Sequence, residues 1–511
     1  MPCLPCTARV ADFGAARRRS GHLIWINEGV QGGGIVITFA VTAASRKDVA
    51  VQIVDLDPQL IRRFDGPGPR YYTSYPTADR FVEAFDAAAH ASWLERRVIG
   101  GIARPLSLYV HLPFCASICY YCACNKLITK DHGRSLKYLY YLEKELALQT
   151  AHLHDSRRIT QLHWGGGTPT FLSDEELREL MRLLRGNFDF DPAGEYAIEI
   201  DPRSVDEVTI GLLAELGFNR MSMGVQDFDP AVQRAVNRIQ PFEMTRDALK
   251  AARAAGFQSI NLDLIYGLPK QGLESFGRTL DQVVDLLPDR IALYSYAHLP
   301  QRFKPQRRIV DADLPDADTR LGIFLLALRR LTDAGYVYIG LDHFARPEDE
   351  LALALRSGRL HRNFQGYTTR PDCDLLGIGI SAISKIGPAY SQNVRSLDEY
   401  YDCIDQHRLP VTRGIELSRD DLVRRAMIMA LMCQGEVSFE SIAIAYLVDV
   451  HEYFATELSE LEPLAQAGLV EIGGTCISVT PKGRFFLRAI CAVFDRYLRG
   501  DRLHSRYSTI I

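Results

Sequence analysis

Four cysteines stand close together in this chain, at positions Cys115, Cys119, Cys122 and Cys124. The first three have the spacing CxxxCxxC, and they come directly after a strand-like run at residues 109–114. With only 11 cysteines in 511 residues, chance is a poor explanation for that spacing. Three thiolates in one short loop suit a [4Fe–4S] cluster, in which each cysteine binds one iron and the fourth iron stays open to a cofactor or substrate.

Zinc is the alternative metal for these thiolates. Structural zinc sites pair two CxxC knuckles or add histidines at set spacing, and no second knuckle follows downstream. A zinc-binding interaction module is therefore a distant alternative, which iron, sulfide and zinc analysis would separate. A lone CxxC at Cys3 and Cys6 has no further ligands nearby, and it is weak support for metal or redox chemistry.

Other residues that could bind a ligand follow further apolar runs. Glycines occupy positions 165–167, and Glu199, Asp201, Gln226 and Asp263 stand at the ends of later runs. Glycines let backbone amides approach a ligand closely, and Glu199 suits ribose hydroxyls or an ammonium group. The plain alternatives are a tight turn for the glycines and a solvated charge for Glu199.

The elements that position these residues alternate between strands and helices. Six short apolar runs predict strands at residues 107–112, 159–164, 196–200, 220–224, 259–265 and 290–296, and segments with helical spacing lie between them. Alternation of this kind predicts a parallel sheet covered by helices. Six units are too few for a closed eight-stranded barrel. We therefore predict an α/β fold with a partial (β/α)6 barrel, whose site lies where the strands end.

The remaining segments flank this barrel. We predict an N-terminal extension at residues 1–50, either disordered or a wrongly assigned start, followed by an N-terminal arm at 51–104. The catalytic domain would span 105–412, although 305–412 reads as mixed helix and loop around a glycine-rich centre. Residues 413–511 predict a mostly helical domain that resembles a winged helix. Its last 97 residues carry 10 basic and 13 acidic side chains, which argues against DNA binding.

Composition excludes several function classes. The net charge is −4 and 47% of the residues are hydrophobic, an ordinary globular balance with no basic field for nucleic acid. No run reaches the 18 or so apolar residues of a membrane helix. Scattered, odd-numbered cysteines favour a reducing compartment over a disulfide scaffold. We expect a cytoplasmic monomer that binds neither nucleic acid nor membrane.

A resemblance to a known family adds to these inferences. CxxxCxxC in the first βα loop of a partial barrel is the signature of radical S-adenosylmethionine (SAM) enzymes. Within that superfamily the sequence resembles the oxygen-independent coproporphyrinogen III oxidases. The resemblance covers about residues 55–510. The motifs that carry it occur in order, and they are RYYTSYPT at 70–77, the cysteine loop with CNK at 124–126, LHWGGGTPT at 162–170, IEIDPR at 198–203, MGVQDF at 223–228, VNR at 236–238, NLDLIYGLP at 261–269, YAHLP at 296–300, DHFA at 342–345, HRNFQGY at 361–367 and GISAIS at 379–384.

The resemblance implies a role for each site residue. Cys115, Cys119 and Cys122 would hold the [4Fe–4S] cluster, and SAM would bind its fourth iron. Contacts to this first SAM would come from Tyr109, Gly166, Glu199 and Ile383. The family also implies a second SAM, with contacts from Tyr121, Gly167, Thr168, Gln226, Arg238, Asp263 and Ala297. The role of Cys124 stays open between structural and substrate-side.

The implied reaction is the anaerobic oxidative decarboxylation of coproporphyrinogen III. A 5′-deoxyadenosyl radical made from SAM would start the conversion of two propionates to vinyl groups, giving protoporphyrinogen IX in haem biosynthesis. Candidate partners for the propionates are Lys304, Arg307, Arg308 and Arg362. A flavodoxin or ferredoxin system would supply electrons, and the final acceptor is unspecified.

The nearest rival is a related haem chaperone, a binding protein without oxidase activity. In that branch the cysteine loop typically lacks the fourth cysteine and the His-Asn segment ends in a Tyr-Trp pair. Here Cys124 is present and residues 361–367 lack the pair. The oxidase is therefore the preferred interpretation.

Overall fold

The structure is a computed structural model, and it describes residues 24–31, 34–41, 56–64, 74–99, 102–154, 157–370 and 373–501. The chain divides into two compact units, Met1–Gln52 and Ile53–Ile511. In the first unit, β1 (Ile24–Gln31) and β2 (Gly34–Val41) form an antiparallel hairpin. The rest of the predicted extension at 1–50 lies outside the described residues, so its character stays a prediction.

Among the described residues, the remaining strands and the helices belong to the second unit. Its strands are β3 Val98–Ile99, β4 Ile102–Ala103, β5 Leu106–Leu112, β6 Phe114–Cys115, β7 Leu127–Ile128, β8 Arg158–Gly166, β9 Asp189–Ile200, β10 Arg220–Gln226, β11 Ser259–Tyr266, β12 Arg290–Ser295, β13 Val337–Gly340, β14 His343–Ala345, β15 His361–Arg362, β16 Tyr367–Thr368, β17 Asp374–Ile378, β18 Ile383–Ile386, β19 Ala389–Asn393, β20 Val411–Glu416, β21 Glu436–Ser438, β22 Val470–Ile472 and β23 Cys476–Val479. Its helices are α1 Pro58–Phe64, α2 Ala87–Glu95, α3 His132–Ala151, α4 Asp174–Asn187, α5 Glu207–Glu215, α6 Pro230–Ala235, α7 Phe242–Ala254, α8 Leu273–Leu286, α9 Ala317–Asp333, α10 Glu350–Arg356, α11 Leu397–Asp405, α12 Arg419–Gln434, α13 Phe439–Tyr446, α14 Val450–Tyr453, α15 Ala455–Gln466, α16 Leu487–Ala492 and α17 Arg496–Asp501.

The main sheet is built around the six predicted strands. They are neighbours in the order β12–β11–β10–β9–β8–β5, and every pair among them is parallel. The predicted partial barrel is therefore confirmed. The strand boundaries differ in detail, since β9 begins at Asp189 rather than near 196, and β8 runs on to Gly166.

Residues 305–412 contain more strand than the sequence predicts. The glycine-rich centre is β17, a fully buried strand that pairs in parallel with β5. β18, β19 and β20 then continue the sheet in antiparallel order, and β14 and β13 extend it beyond β12. The prediction of mixed helix and loop was wrong here, because a five-residue apolar run with an internal glycine has no diagnostic period.

The C-terminal region has the predicted order of helix, hairpin and helix. β22 and β23 form the hairpin, and β21 pairs with the other edge of β23. One hydrophobic core runs from barrel residues such as Leu108 into this region, where it includes Met427 and Phe494. Because residues 53–511 form one compact unit, the finer boundaries at 104 and 412 stay predictions.

Candidate functional site

The cysteine loop leaves the barrel where β5 ends. β5 finishes at Leu112, and the next short strand, β6, pairs in parallel with β7 at the far end of the loop. The Phe114 ring is fully buried and stacks on Phe171, with 5.4 Å between ring centroids. Both ends of the loop are thus attached to the barrel, and Cys115 is held at the carboxyl end of the sheet.

The first two thiols of the loop face polar groups from other elements. Cys115 Sγ lies 3.4 Å from Thr168 Oγ1, and burial raises the pKa of Cys115 to about 11. Cys119 Sγ accepts hydrogen bonds from the guanidiniums of Arg203 and Arg238, each at 3.7 Å. Two guanidiniums from different elements therefore contact the Cys119 sulfur.

The third and fourth cysteines lie beside each other. A hydrogen bond with Cys124 lowers the pKa of Cys122 to about 5, and the same contact raises the pKa of Cys124 well above its usual value. Lys126 Nζ donates to the Cys122 carbonyl oxygen at 3.1 Å, and its charge also lowers the pKa of Cys122. Cys124 therefore lies beside Cys122 in the lining of the same cavity, and its role stays a prediction.

The predicted glycines lie directly beside the start of this loop, where the Gly167 amide donates to the Leu112 carbonyl oxygen at 2.8 Å. Gly165 and Gly166 are the last residues of β8. A Cβ at Gly165 would lie 2.8 Å from the Glu199 carboxylate, one at Gly166 2.5 Å from the His111 ring, and one at Gly167 2.6 Å from backbone. Gly166 also has φ of +115°, a conformation that favours glycine. The lack of space for a Cβ explains all three glycines, and the positive φ is a second reason at Gly166.

Glu199 is the second-to-last residue of β9, and its carboxylate is held by two donors. His163 Nε2 donates to it at 2.9 Å, and the Gly166 amide donates at 3.2 Å. Burial opposes ionisation and would raise the pKa of Glu199, but the bond and charge of His163 together with the Gly166 amide lower that pKa overall. The carboxylate is therefore ionised at the edge of the cavity, where it can accept from a ligand's hydroxyl or ammonium groups.

Two guanidiniums share one carboxylate next to the second cysteine. Arg238 Nη1 donates to Asp201 Oδ2 at 3.1 Å, and Arg203 Nη2 donates to the same oxygen at 2.6 Å. Arg238 also donates to the Gly224 carbonyl oxygen at 2.6 Å, which fixes it to β10. Two positive charges against one negative charge leave this corner of the cavity cationic, as an anionic thiolate cluster requires.

Strands β10 and β11 supply the remaining polar wall. The register between them shifts at Gly224 and Gln226, and Gln226 has φ of +71°. Its Oε1 is buried with no hydrogen-bond partner among the described residues. Asp263 accepts from Ser222 Oγ at 3.1 Å, and burial together with the charge of Glu199 raises the pKa of Asp263 to about 6.

The structure brings most of the predicted site residues to one cavity of about 380 Å³. It is lined by the motif cysteines Cys115, Cys119 and Cys122, by Cys124, and by eight of the eleven predicted SAM contacts, Tyr121, Gly166, Gly167, Thr168, Glu199, Gln226, Arg238 and Asp263.

Three predicted SAM contacts lie outside the wall of this cavity. Tyr109 lies behind Glu199, where its ring stacks on His163 at 5.8 Å. Ala297 is buried, and its carbonyl oxygen accepts from Gln306. Ile383 begins β18 and packs with a separate cluster of buried side chains. Whether these three contact SAM stays a prediction.

Sequence reasoning missed several polar residues of the site. The histidines had no assigned role, yet His163 holds Glu199 and His111 packs against Gly166. Arg203 was part of a motif but had no function, and it reaches the Cys119 thiol. The sequence could have indicated His163, because residues two apart on a strand point to the same face of the sheet. His163 is two residues from Gly165 and so shares its face.

The residues present fit an iron–sulfur cluster. Three thiols line one cavity beside two guanidiniums, and cysteine thiolates are the ligands that hold such clusters in proteins.

The cavity continues into the barrel. Glu199, Ser222 and Asp263 also line a second cavity of about 200 Å³ inside the sheet, which in turn shares Tyr294 and His343 with a third of about 150 Å³. Of the predicted propionate partners, Arg362 lines this third cavity, while Lys304, Arg307 and Arg308 lie on an exposed 3-10 helix, Lys304–Arg308.

Across the described residues, no helix has the length and apolarity needed to cross a membrane.

Comparisons with known proteins all indicate the same family. The Radical SAM superfamily profile matches residues 109–283, and the HemN C-terminal domain profile matches residues 417–486. The oxygen-independent coproporphyrinogen III oxidase of Pseudomonas aeruginosa is 53% identical over 460 residues, which is 89% of this chain and 98% of the relative. The Escherichia coli protein of the same name is 48% identical over 91% of this chain and 100% of the relative.

A solved structure agrees with this. The E. coli coproporphyrinogen III oxidase (HemN), described as a radical SAM enzyme, superimposes with a TM-score of 0.83 and 47% identity, covering 87% of this chain and 100% of that one. The sequence motifs, the partial barrel and these relatives lead to the same conclusion: the chain belongs to the oxygen-independent coproporphyrinogen III oxidases, and it is a radical SAM oxidoreductase.

Proposed function

We propose that this enzyme converts two propionate side chains of coproporphyrinogen III to vinyl groups, giving protoporphyrinogen IX. Each conversion removes one hydrogen atom from the propionate β-carbon, releases carbon dioxide and passes one electron to an acceptor. A SAM-derived radical takes the hydrogen atom. The single observation that carries the proposal is the motif cysteine loop opening onto a cavity whose other walls are glycine backbone, Glu199 and buried arginines.

Cys115, Cys119 and Cys122 would hold a [4Fe–4S] cluster, with SAM at the fourth iron. When bound, the cluster supplies the electron that cleaves SAM to methionine and a 5′-deoxyadenosyl radical. The protein's contribution is position and charge. Arg203 and Arg238 offset the negative charge of the thiolates near Cys119, and the β6–β7 pairing holds the loop in place.

Glu199 and the glycine wall would hold the first SAM. The Glu199 carboxylate is ionised and fixed by His163, so it accepts from a cationic or hydroxylated ligand without reorganising. Gly166 lines the same cavity, and its missing side chain leaves room for the His111 ring behind it. Tyr109 would act through His163, on which it stacks, and Ile383 would contribute from the edge of β18.

A second SAM would occupy the side of the cavity formed by β10 and β11. Its support is the buried Gln226 Oε1, which has no protein partner among the described residues, together with Asp263 and Arg238 on the same wall. Tyr121, Gly167, Thr168 and Ala297 complete this proposed set. A flavodoxin or ferredoxin would donate electrons to a monomeric enzyme in the cytoplasm.

An anaerobic assay tests the proposed reaction. Reconstituted protein is mixed with SAM, dithionite, coproporphyrinogen III and cell extract as a source of electron acceptor. We expect 5′-deoxyadenosine and, after oxidation of the products, protoporphyrin. The Cys119→Ser variant should lose the broad visible absorbance of the cluster and both products.

Two results would contradict the proposal. Haem binding without protoporphyrin would favour the chaperone function instead. A Cys119→Ser protein that kept full iron content and SAM cleavage would remove Cys119 from the cluster ligands.

A further inference from the structure

A separate cavity of about 260 Å³ lies at the opposite end of the barrel from the cysteine loop. Its wall includes Ser107 near the start of β5, whereas Cys115 follows the end of that strand. The six residue steps of β5, at about 3.3 Å each, separate the two ends by about 20 Å. We call it the basic cavity, because its lining includes Arg104, Arg362, Arg370, Lys385 and Arg425.

The basic cavity has a large excess of positive charge. Among the described residues, no Asp or Glu lines it. Arg370 Nε lies 3.7 Å from the Glu195 carboxylate outside this lining, the charge of Asp374 acts on Lys385, and Arg425 Nε donates to the neutral Tyr390 hydroxyl at 3.1 Å. Burial, together with the charge of Arg425, lowers the pKa of Lys385 to about 8. Cations gathered at this density in a partly buried space are stabilised by an anion.

Shared lining residues link the basic cavity to the cavity at the cysteine loop. Asn363 and Thr368 line both the basic cavity and the cavity inside the barrel, and that inner cavity shares Glu199 and Asp263 with the cysteine site. The cysteine cavity carries both signs of charge, with Glu199, Asp201 and Asp263 beside Lys126, Arg203 and Arg238, whereas the described lining of the basic cavity carries positive charge only. A ligand with several carboxylates would be attracted more strongly to the basic cavity than to the cysteine cavity.

We infer that the basic cavity binds carboxylates of the tetrapyrrole, namely those propionates that are not being decarboxylated. This inference rests on the proposed function and deepens it, because it assigns the groups that orient the substrate. Holding carboxylates at Lys385 and Arg425 would direct the opposite side of the macrocycle toward the SAM end. A small inorganic anion such as phosphate has the same recognition chemistry, so the experiment distinguishes the two.

The test compares charge-removing variants in the reconstituted holoenzyme. Lys385→Met and Arg425→Gln should each raise the KM for coproporphyrinogen III by about tenfold or more, since each removes a charge-assisted bond in a partly buried site. The change in kcat should be much smaller. The rate of SAM cleavage in the absence of substrate should not change, because neither residue lines the cavity at the cysteine loop. Lys250→Met removes the same charge from an exposed position of α7 and serves as the matched control.

A binding measurement separates the carboxylates from the rest of the macrocycle. Coproporphyrin III should bind the wild type more tightly than its tetramethyl ester, and the variants should weaken binding of the acid but not of the ester. If Lys385→Met fails to fold, two other variants replace it. Arg104→Gln, at an exposed position, should weaken binding of the acid, whereas the conservative Arg425→Lys should retain it.

Unchanged KM values in folded variants would overturn the inference, as would equal weakening of acid and ester. Phosphate that stabilises the wild type but not the variants, with KM unchanged, would also overturn it, since the cavity would then bind a small anion only. A wild type that makes no protoporphyrin contradicts the proposed function instead, and the coproporphyrin III binding measurement still reports on the basic cavity.

Discussion

At the scale of single residues, the close fit between Gly165 and Glu199 makes a sharp test possible. A Cβ at Gly165 would lie 2.8 Å from all three atoms of the Glu199 carboxylate. We therefore predict that Gly165→Ala displaces this carboxylate and weakens SAM binding by about tenfold, which corresponds to about 1.4 kcal/mol. Equilibrium dialysis of SAM against the reconstituted protein measures the change.

The matched control is Gly211→Ala, because nothing lies within 4 Å of a Cβ at that position in α5. It should leave SAM affinity unchanged. Equal affinity in the wild type and Gly165→Ala would mean that Glu199 does not hold SAM.

Residues whose roles depend on local spacing could be predicted, and residues that depend on distant partners could not. The cysteines and glycines lie within short motifs, and their chemistry follows from their neighbours in the chain. His163 and Arg203 act on Glu199 and Cys119, which are 36 and 84 residues away. The parallel register of β8 and β9 brings His163 to Glu199, and the folding of the cysteine loop against the turn after β9 brings Cys119 to Arg203.

At the scale of elements, one buried carboxylate joins α3 to the strands that the sequence did not predict. Glu145 accepts from the Gly379 amide at 2.7 Å, from Asn393 Nδ2 at 2.8 Å and from the Tyr400 hydroxyl at 2.6 Å. Glu145→Ala leaves three buried donors without their acceptor. The free energy of unfolding should fall by about 3 kcal/mol or more.

Anaerobic urea unfolding measures this loss. Glu143→Ala, on the exposed face of the same helix, should change the free energy of unfolding by less than about 0.5 kcal/mol. Similar small losses in both variants would show that the Glu145 network adds little to stability.

A second element contact predicts a dependence on pH. His90 on α2 contacts Gln149 at 3.2 Å and Ser391 at 2.9 Å, and burial lowers the pKa of His90 from 6.5 to about 4. The unfolded chain takes up this proton below about pH 6.5 while the folded chain does not. Stability is therefore complete above that pH and falls, by up to about 3 kcal/mol, as the pH drops toward 4.

Replacing the histidine should remove this part of the acid sensitivity. Urea midpoints of the wild type and His90→Gln, compared at about pH 7.5 and about pH 5, should show a smaller drop for the variant. A parallel drop in both proteins would assign the acid sensitivity to other groups.

The sequence predicted elements best where strand and helix alternate regularly. The six barrel strands have polar residues at their ends and helical segments between them, so their parallel pairing could be predicted. β17 is short, buried on both faces and interrupted by Gly377, and its identity depends on pairing with β5. The two-residue strands β15 and β16 are too short for any period to indicate them.

At the scale of the whole molecule, the site and its supporting core belong to the unit Ile53–Ile511. We predict that a chain beginning at Ile53 folds, binds its cluster and keeps the kcat/KM of the full chain within about twofold. Thermal melting and the anaerobic assay check this. A truncated chain that lost activity while keeping its cluster would give the N-terminal segment a role in turnover.

The shared core between the barrel and the C-terminal region was not predictable in the same way. Phe494 and Met427 pack into the same cluster as Leu108, although more than 300 residues separate them along the chain. Hydrophobic periodicity identifies the buried face of an element and leaves its partner undetermined.

The central position of β5 has a consequence for how the enzyme is assembled in the cell. This strand carries the cysteine loop, and it is hydrogen-bonded on one side to β8 and on the other to β17. Its backbone amides should therefore be among the slowest to exchange with solvent, whether or not iron is bound. Oxidative damage would then strip the metal from a platform that stays folded, so repair machinery could rebuild the cluster many times on the same polypeptide without a new round of synthesis.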